Sequence, residues 1–451
     1  MKYTSKQISE LISGKCGEPF DKEKIINFVL SDSRKIQGDG MLFVALRGDR
    51  FDGHSFVFEI TKGGNHFALI EDEKYLGKNT IFVPDVRKAM YSLASEYRKT
   101  ALKDKKCVAI TGSVGKTSTK EYVYSVFAEK FKVYKSPGNQ NSYTGLPMVI
   151  LNCDENAEYM VLEAGMNTRG EIEKLSELVK PDIAIITNIG WSHSEYLGGR
   201  DKIFEEKLDI TKGMNGGVLV VNGDDDYLSQ NINCGCDIIR CSLENKKANF
   251  YCSDIEQKGE NLTFNINGKP AFIKQIGVHN VRNALLAYGA GITAGMSHEE
   301  AAWGISVLPK SESRIKIIDA KNGCTVIDDC YNAAPESMKA ALDYLKIRKG
   351  KRIAVLGDML ELGEFSEKLH IEVGKHSASC CDMILCFGEL GKYIAQGALS
   401  ENHKNVQYFS LDERNSMIEL IRSLAKENVS ILFKASNRMR FGEMIKSAEL
   451  I

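Results

Sequence analysis

Cys107-Val108-Ala109-Ile110-Thr111-Gly112-Ser113-Val114-Gly115-Lys116-Thr117-Ser118 is the stretch on which the fold turns. Residues 107–111 read as a buried strand, a short apolar run ended by glycine, and 116–130 as the helix that follows. A glycine loop between a strand and a helix is the context a phosphate site requires. Glycines at 112 and 115 let backbone N–H groups turn inward around anionic oxygens. The helix starting near Lys116 adds unpaired N–H groups and the positive end of its dipole. Lys116 is then placed to bridge the β- and γ-phosphates, and the Thr117 hydroxyl to ligate Mg²⁺. Gly112, Ser113, Gly115, Lys116, Thr117 and Ser118 are the expected nucleotide contacts. The loop is two residues shorter than GxxxxGK[ST], because Ile110 stands five positions before Gly115. A bare GxxGKT also suits an ordinary tight turn; its place after CVAIT favours nucleotide. ATP use alone names no reaction.

Outward from this loop, apolar runs alternate with amphipathic segments, the pattern of an α/β protein. Strands are expected at 41–46 and 66–70, then at 159–163, 182–188 and 217–222, and later at 325–328, 352–356, 383–387 and 431–434. Residues 249–276 read as antiparallel strands around the turn Asn267-Gly268, and 280–293 as a helix. The 451 residues exceed one hydrophobic core. A charged linker at 103–106 and a second at 309–313 divide them into three expected domains, 1–103, 104–309 and 310–451. Fifty-nine basic against 60 acidic side chains leave a net charge of −1, which gives no electrostatic reason to expect nucleic acid or an anionic membrane as partner. No run of 18 apolar residues and no signal peptide appear, so a cytoplasmic protein without membrane insertion is expected. The 12 cysteines lack zinc-type spacing and read as reduced core residues.

Three further clusters can belong to the same site. Glu163, in VLEAGMN, ends a buried strand where a carboxylate can reach a metal; the plain alternative is a satisfied charge at a strand end. Thr187 to Glu195, TNIGWSHSE, sets His193 just beyond another strand, the ligand side of such sheets, although a histidine there is more often a surface residue. Lys207, in IFEEKLDI, reads as a solvated lysine beside Glu206 or Asp209, and nothing in the pattern selects it over Lys202 or Lys212.

Taken together, these motifs resemble the Mur ligase family over nearly the whole chain. TGSVGKTST is similar to the family's short phosphate loop, and Glu163, His193 and Lys207 fall on its glutamate, its histidine and its carboxylated lysine. HNVRNALLA resembles the segment that meets adenine, through Asn280 and Asn283. Arg314, in SESRIK, is similar to the arginine that crosses to the phosphates. IDDCYNAAPESM resembles IDDxYNANPxSM, which implies ribose contact by Asp329 and an amine site shaped by Tyr331, Asn332 and Pro335. GDMLELGEFSEKLH, residues 357–370, is another similar stretch. SDSRKI and DRFDGH resemble the part that holds a uridine nucleotide, with Ser33 and Arg34 as contacts. GNQNSYTGLP is similar to the acceptor loop, with Asn139 and Asn141 lining it. The chain departs from the family at Ser142, Cys330, Ala334 and Asn437, where asparagine, another residue, asparagine and arginine are the pattern, and Arg438 follows one place later.

The resemblance implies a central P-loop ATPase-like parallel sheet, flanked by an N-terminal α/β domain for the acceptor nucleotide and a C-terminal Rossmann-like domain for the amine. It also implies ATP and Mg²⁺, UDP-N-acetylmuramoyl-tripeptide as acceptor, D-alanyl-D-alanine as amine, and a monomer. Lys116, His193, Lys207 and Arg314 are then the catalytic set, and Thr117, Glu163 and carboxylated Lys207 the metal set. Contacts spread over three domains imply an open-to-closed motion. The alternatives are a sibling or folate-type amino-acid ligase, against which YNAAPESM points, and a nucleotide-binding regulatory protein, which would not require the SDSRKI domain.

Overall fold

In the computed structural model, which describes residues 2–48, 51–258, 261–308, 315–320 and 322–451, Lys106–Thr111 lies inside a nine-stranded sheet. From one edge the order is Val133–Lys135, Tyr159–Glu163, Lys106–Thr111, Ile183–Ile186, Val218–Asn222, Asp237–Ser242, Phe250–Lys258, Asn261–Ile266 and Lys269–Ile273. The first seven pair in parallel, and the last two add an antiparallel ribbon. Its turn is Asn267-Gly268, both at positive φ (49° and 81°), as a two-residue hairpin demands.

The phosphate-loop strand is apolar at nearly every position because both faces are covered. Cys107 and Ala109 enter a core shared with Met160, Leu162, Leu175 and Ile186. Val108 and Ile110 enter the opposite core, with Val123 and Phe127 of the helix Lys116–Ala128 and Leu285 of the helix Val278–Thr293. Burial of each such side chain stabilises by about 1.5–3 kcal/mol, so a charge at position 108 would unseat both helices. The expected helix 116–130 ends two residues early, at Ala128.

Before this sheet stands a five-stranded one, in the order Lys15–Cys16, Thr80–Phe82, His66–Ile70, Met41–Val44, Phe28–Leu30, parallel except at its first pair. After it comes a six-stranded sheet: Lys316–Asp319, Thr325–Asp328, Val429–Lys434, Lys351–Gly357, Met383–Phe387, Val406–Phe409, with only its first pair antiparallel. Val133–Lys135, Lys316–Asp319 and Val406–Phe409 were not expected from sequence; they are edge strands, whose exposed flanks carry lysine, aspartate and glutamine instead of an apolar run. Asp237–Ser242 and Thr80–Phe82, which lie inside their sheets, were not expected either.

The sheets are stitched together by side chains on backbone. Asn152 accepts from Val29 N (2.8 Å) and donates to Val29 O (2.6 Å), joining the first sheet to the second. Segment 190–195 of the second lies against residues 336 and 361–365 of the third. All 12 cysteines are free; eight are buried as core residues, whereas Cys16, Cys234, Cys236 and Cys330 are half-buried, and Cys234 Sγ lies 2.9 Å from Cys236 Sγ.

Candidate active site

The two loop glycines are required by what crowds them. At Gly112 (φ 147°) an added Cβ would stand 1.9 Å from Thr187 Oγ1, and at Gly115 (φ 83°) 2.8 Å from Asn283 Oδ1. Thr187 and Asn188, at the end of the adjacent strand, clamp the loop. Thr187 Oγ1 donates to Val114 O (2.6 Å), Asn188 Nδ2 donates to the same carbonyl (3.0 Å), and Val114 N donates to Asn188 Oδ1 (3.0 Å). Ser113 Oγ accepts from Gly190 N at 2.8 Å. Sequence reasoning did not single out the pair 187–188; the cue was their place straight after a buried strand neighbouring the loop strand. Lys116 folds back over the loop, its Nζ donating to Gly112 O (2.7 Å) and Ser113 O (3.3 Å). Its ammonium thus sits in the mouth of the loop, and half-buried Ser118 follows in the first helical turn.

Glu163 is buried (1% exposed) and its two oxygens are both engaged: Thr117 Oγ1 donates to Oε2 at 2.8 Å, Asn141 Nδ2 to Oε1 at 2.7 Å. Three residues chosen from separate motifs therefore meet at one carboxylate. Beneath them Lys120, wholly buried, donates to Ser136 O (2.9 Å) and Gly138 O (2.8 Å) and pairs with Glu121 at 3.0 Å. It fixes the start of the loop that carries Asn139 and Asn141. Lys120 was missed because a lysine in a helix reads as solvated.

The solvated reading of Lys207 is overturned. Lys207 is 2% exposed, and burial holds its amine well below the ordinary lysine range, with the nearby Lys116 cation pushing the same way. Glu206 does not screen it fully, since its carboxylate caps another helix by accepting from Gly170 N (2.8 Å) and Ile172 N (3.0 Å). Lys202 is instead half-buried and paired with Glu205 at 2.7 Å. The tertiary environment makes the selection that the pattern could not.

Of the two adenine candidates, Asn283 comes to the loop, beside Gly115 and accepting from Thr119 Oγ1 at 3.3 Å. Asn280 donates its Nδ2 to Ile276 O (2.8 Å), within its own helix start. Asp329 pairs through Oδ2 with the buried Lys434 Nζ at 2.6 Å. Both bear on His279, whose pKa burial lowers to about 4; this histidine was not among the expected residues. Ser33 and Arg34 belong to the chain's first sheet unit, on the short helix Ser33–Lys35, where Asp32 binds Arg34 through both oxygens (2.9 and 3.0 Å). Arg314 lies outside the described residues.

A cleft of about 760 Å³ opens between the second and third sheets. His193 lines it from one side, and Tyr331, Asn332, Glu361, Arg438 and Arg440 from the other. Of the expected amine-site residues, Tyr331 and Asn332 share this cavity with the expected catalytic histidine, while Pro335 is buried at the start of the helix Pro335–Lys346 and does not line it. Glu361 and Arg438 are additions from structure.

A parallel sheet with a short phosphate loop, an oxygen-rich cluster beside it and a cleft toward a second parallel sheet define an ATP-using ligase of the Mur type. Residues 110–291 match the Mur ligase middle domain and residues 313–437 the Mur ligase, glutamate ligase domain; the chain belongs to the Mur ligase family. The UDP-N-acetylmuramoyl-tripeptide–D-alanyl-D-alanine ligase of Bacillus subtilis is 37% identical to it over 457 residues, covering 99% of this chain and 98% of that one. Among solved structures, MurF from Acinetobacter baumannii superposes with a TM-score of 0.87 at 29% identity, covering 100% of this chain and 99% of that one. MurF from Thermotoga maritima, in complex with ADP, gives 0.80 at 26% identity, covering 94% and 97%.

Proposed function

We propose that this protein joins D-alanyl-D-alanine to UDP-N-acetylmuramoyl-tripeptide at the expense of ATP, through an acyl phosphate, in peptidoglycan precursor synthesis. The observation that carries the reading is the meeting of Lys116, Thr117, Glu163 and Asn141 at one loop mouth, in a chain alike over its full length to ligases of that name.

In this reading the tripeptide's terminal carboxylate takes the γ-phosphoryl group, and the amine then displaces phosphate. Such transfers ask a protein for positioning and charge neutralisation more than for covalent chemistry. Lys116 and the loop N–H groups hold the phosphates, and Asn283 with Asn280 holds the base. Arg314 is assigned to the phosphates, and Asp329 to the ribose. The oxygen donors Thr117 and Glu163 suit Mg²⁺, with a carboxylated Lys207 as a third hard ligand; the ion supplies neutralisation of phosphate charge. Carboxylation requires an uncharged amine, and the desolvation of Lys207 together with the Lys116 cation favours one. The carbamate that forms is anionic, which suits the same cation. Asn139 and Asn141 line the acceptor, Ser33 and Arg34 hold its uridine end, and Tyr331 and Asn332 shape the dipeptide site. Residues 1–103, 104–309 and 310–451 act as three domains of a cytoplasmic monomer. No helix among the described residues is long and apolar enough to cross a membrane.

Phosphate release from ATP, measured with UDP-N-acetylmuramoyl-tripeptide and with or without D-alanyl-D-alanine, tests the proposal. Release that rises with the dipeptide is expected. Turnover indifferent to the dipeptide would refute the reading.

A further inference from the structure

Where the helix Pro335–Lys346 meets the end of the helix Ser366–Ala378, three side chains of different ligand type converge: Asp343, His376 and Cys380. Their carboxylate oxygen, ring nitrogen and sulfur all lie within 4.8 Å of one another. His376 Nε2 is 2.7 Å from Asp343 Oδ1, and Cys380 Sγ is 3.9 Å from the same oxygen. None of the three lines the cleft, and none falls in a motif assigned to nucleotide, acceptor or amine.

The local chain explains the convergence. His376 and Cys380 stand four positions apart, and Cys380 N donates to Ser377 O (3.0 Å), which carries the helical turn past Ser379 and sets both side chains on one face. Asp343 comes from the neighbouring helix, 33 residues before His376. No spacing along the chain links it to the other two, so cysteine spacing gave no sign of a metal. Asp343 is exposed, His376 half-buried and Cys380 buried, so the trio opens to solvent at its carboxylate end. An ion pair between His376 and Asp343 accounts for two members and does not call for a thiol beneath them.

The donor set selects the ion. Mg²⁺ and Ca²⁺ take oxygen ligands, whereas one imidazole nitrogen, one thiolate sulfur and one carboxylate oxygen suit Zn²⁺ and similar borderline ions. Thiolate and carboxylate together supply the two negative charges that such an ion needs. The thiol now donates to His376 O (3.3 Å), and Ser379 Oγ lies 3.6 Å from its sulfur. Burial, then the Asp343 carboxylate, raises the Cys380 thiol, while the Ser379 hydroxyl and the Lys346 and Arg352 cations act the other way. A coordinated metal deprotonates a thiol outright.

We propose that Asp343, His376 and Cys380 form a binding site for a divalent ion of the zinc class, with water as fourth ligand. On binding, the Cys380 thiol gives its proton to solvent as the sulfur–metal bond forms, and His376 carries its hydrogen on Nδ1 so that the Nε2 lone pair faces the ion. Tetrahedral bonds of about 2.0 Å to nitrogen and oxygen set those two atoms about 3.3 Å apart, a shift of under 1 Å for the exposed Asp343 side chain. The ion then clips together two helices, the first of which begins three residues after Asn332 of the cleft wall. The site makes no use of the ligase reading, and its test needs neither nucleotide nor peptide.

Co²⁺, a spectroscopic stand-in for Zn²⁺, is titrated into the full-length chain after chelator treatment, with a phosphine to keep thiols reduced. Thiolate-to-cobalt charge-transfer absorption is expected, and Zn²⁺ should abolish it by competition. Cys380→Ser should remove that absorption, and Asp343→Asn and His376→Gln should each weaken Co²⁺ binding by about 10-fold or more. The double variant Cys234→Ser/Cys236→Ser, which removes the other close pair of sulfurs, should leave it in place. A wild-type chain without the absorption overturns the proposal, and so does absorption unchanged by Cys380→Ser or lost with the double variant. Should Cys380→Ser fail to fold, the exposed Asp343 decides the matter: unchanged Co²⁺ affinity in Asp343→Asn also overturns the proposal.

Discussion

Around the phosphate loop, Thr117, Asn141, Glu163 and Asn188 all belong to one sheet and its connections, and their bonds, Thr117 and Asn141 to Glu163 and Asn188 to Val114, close within that unit. The cleft is built the other way. It takes His193 from that sheet and Glu361, Tyr331, Asn332 and Arg438 from the next. The contrast separates two kinds of preorganisation. Hydrogen bonds within a single folded unit survive any hinge motion, so the ATP side keeps its shape. Contacts between units last only while the units stay docked, so the cleft would change with any motion of one unit against the other.

The hardest blow to the preassembled side is Lys116→Ala. Loss of the ammonium in the loop mouth should lower phosphate release with both co-substrates by about 1,000-fold or more; wild-type turnover in this variant would break the comparison at its root. Lys207→Ala should cost less, about 100-fold in kcat. Because the lost group is an anion once carboxylated, added formate or acetate should restore part of the rate in a steady-state assay. Full activity without rescue would remove the modification from the scheme.

The smallest effect concerns the docked side. His370 is buried, with Nδ1–H donating to Ser366 O (2.6 Å) and Nε2 accepting from Met359 N (2.9 Å), two residues before Glu361. Burial lowers its pKa from 6.5 to about 4. The folded value lies below the unfolded one, so the stabilisation is complete above pH 6.5 and is lost as pH falls toward 4, about 2 kcal/mol of it by pH 5. Urea unfolding at pH 7 and pH 5 should show wild type losing that much more than His370→Gln. Equal losses would mean that the imidazole does not hold this segment in its neutral form.

How much could be read beforehand follows the same line. The loop 112–118 and Glu163 were legible because local rules act within a few residues: a strand ends, glycines turn, a helix begins. The turn Asn267-Gly268 was legible for the same reason. Lys207 and Lys120 were not, because a lysine's solvation depends on which helices cover it, and the residues doing so are distant in sequence. Resemblance to a family pointed to Lys207; physical reasoning on the chain alone left it equal to Lys202. Glu361 sat inside a stretch noted for similarity only, since nothing local tells a carboxylate in a loop that it will face a histidine from another sheet.

The sequence by itself determined the alternation of strands and helices, the glycine-bearing turn between strand and helix at 111–116, and the near-zero charge balance. These depend on backbone preferences and apolar spacing, which are properties of neighbours along the chain. Tertiary structure alone decided which lysine is desolvated, which carboxylate gathers Thr117 and Asn141, and which glutamate meets His193. Those outcomes depend on the dielectric surroundings and distances of groups far apart in sequence, and both are set only when the sheets pack.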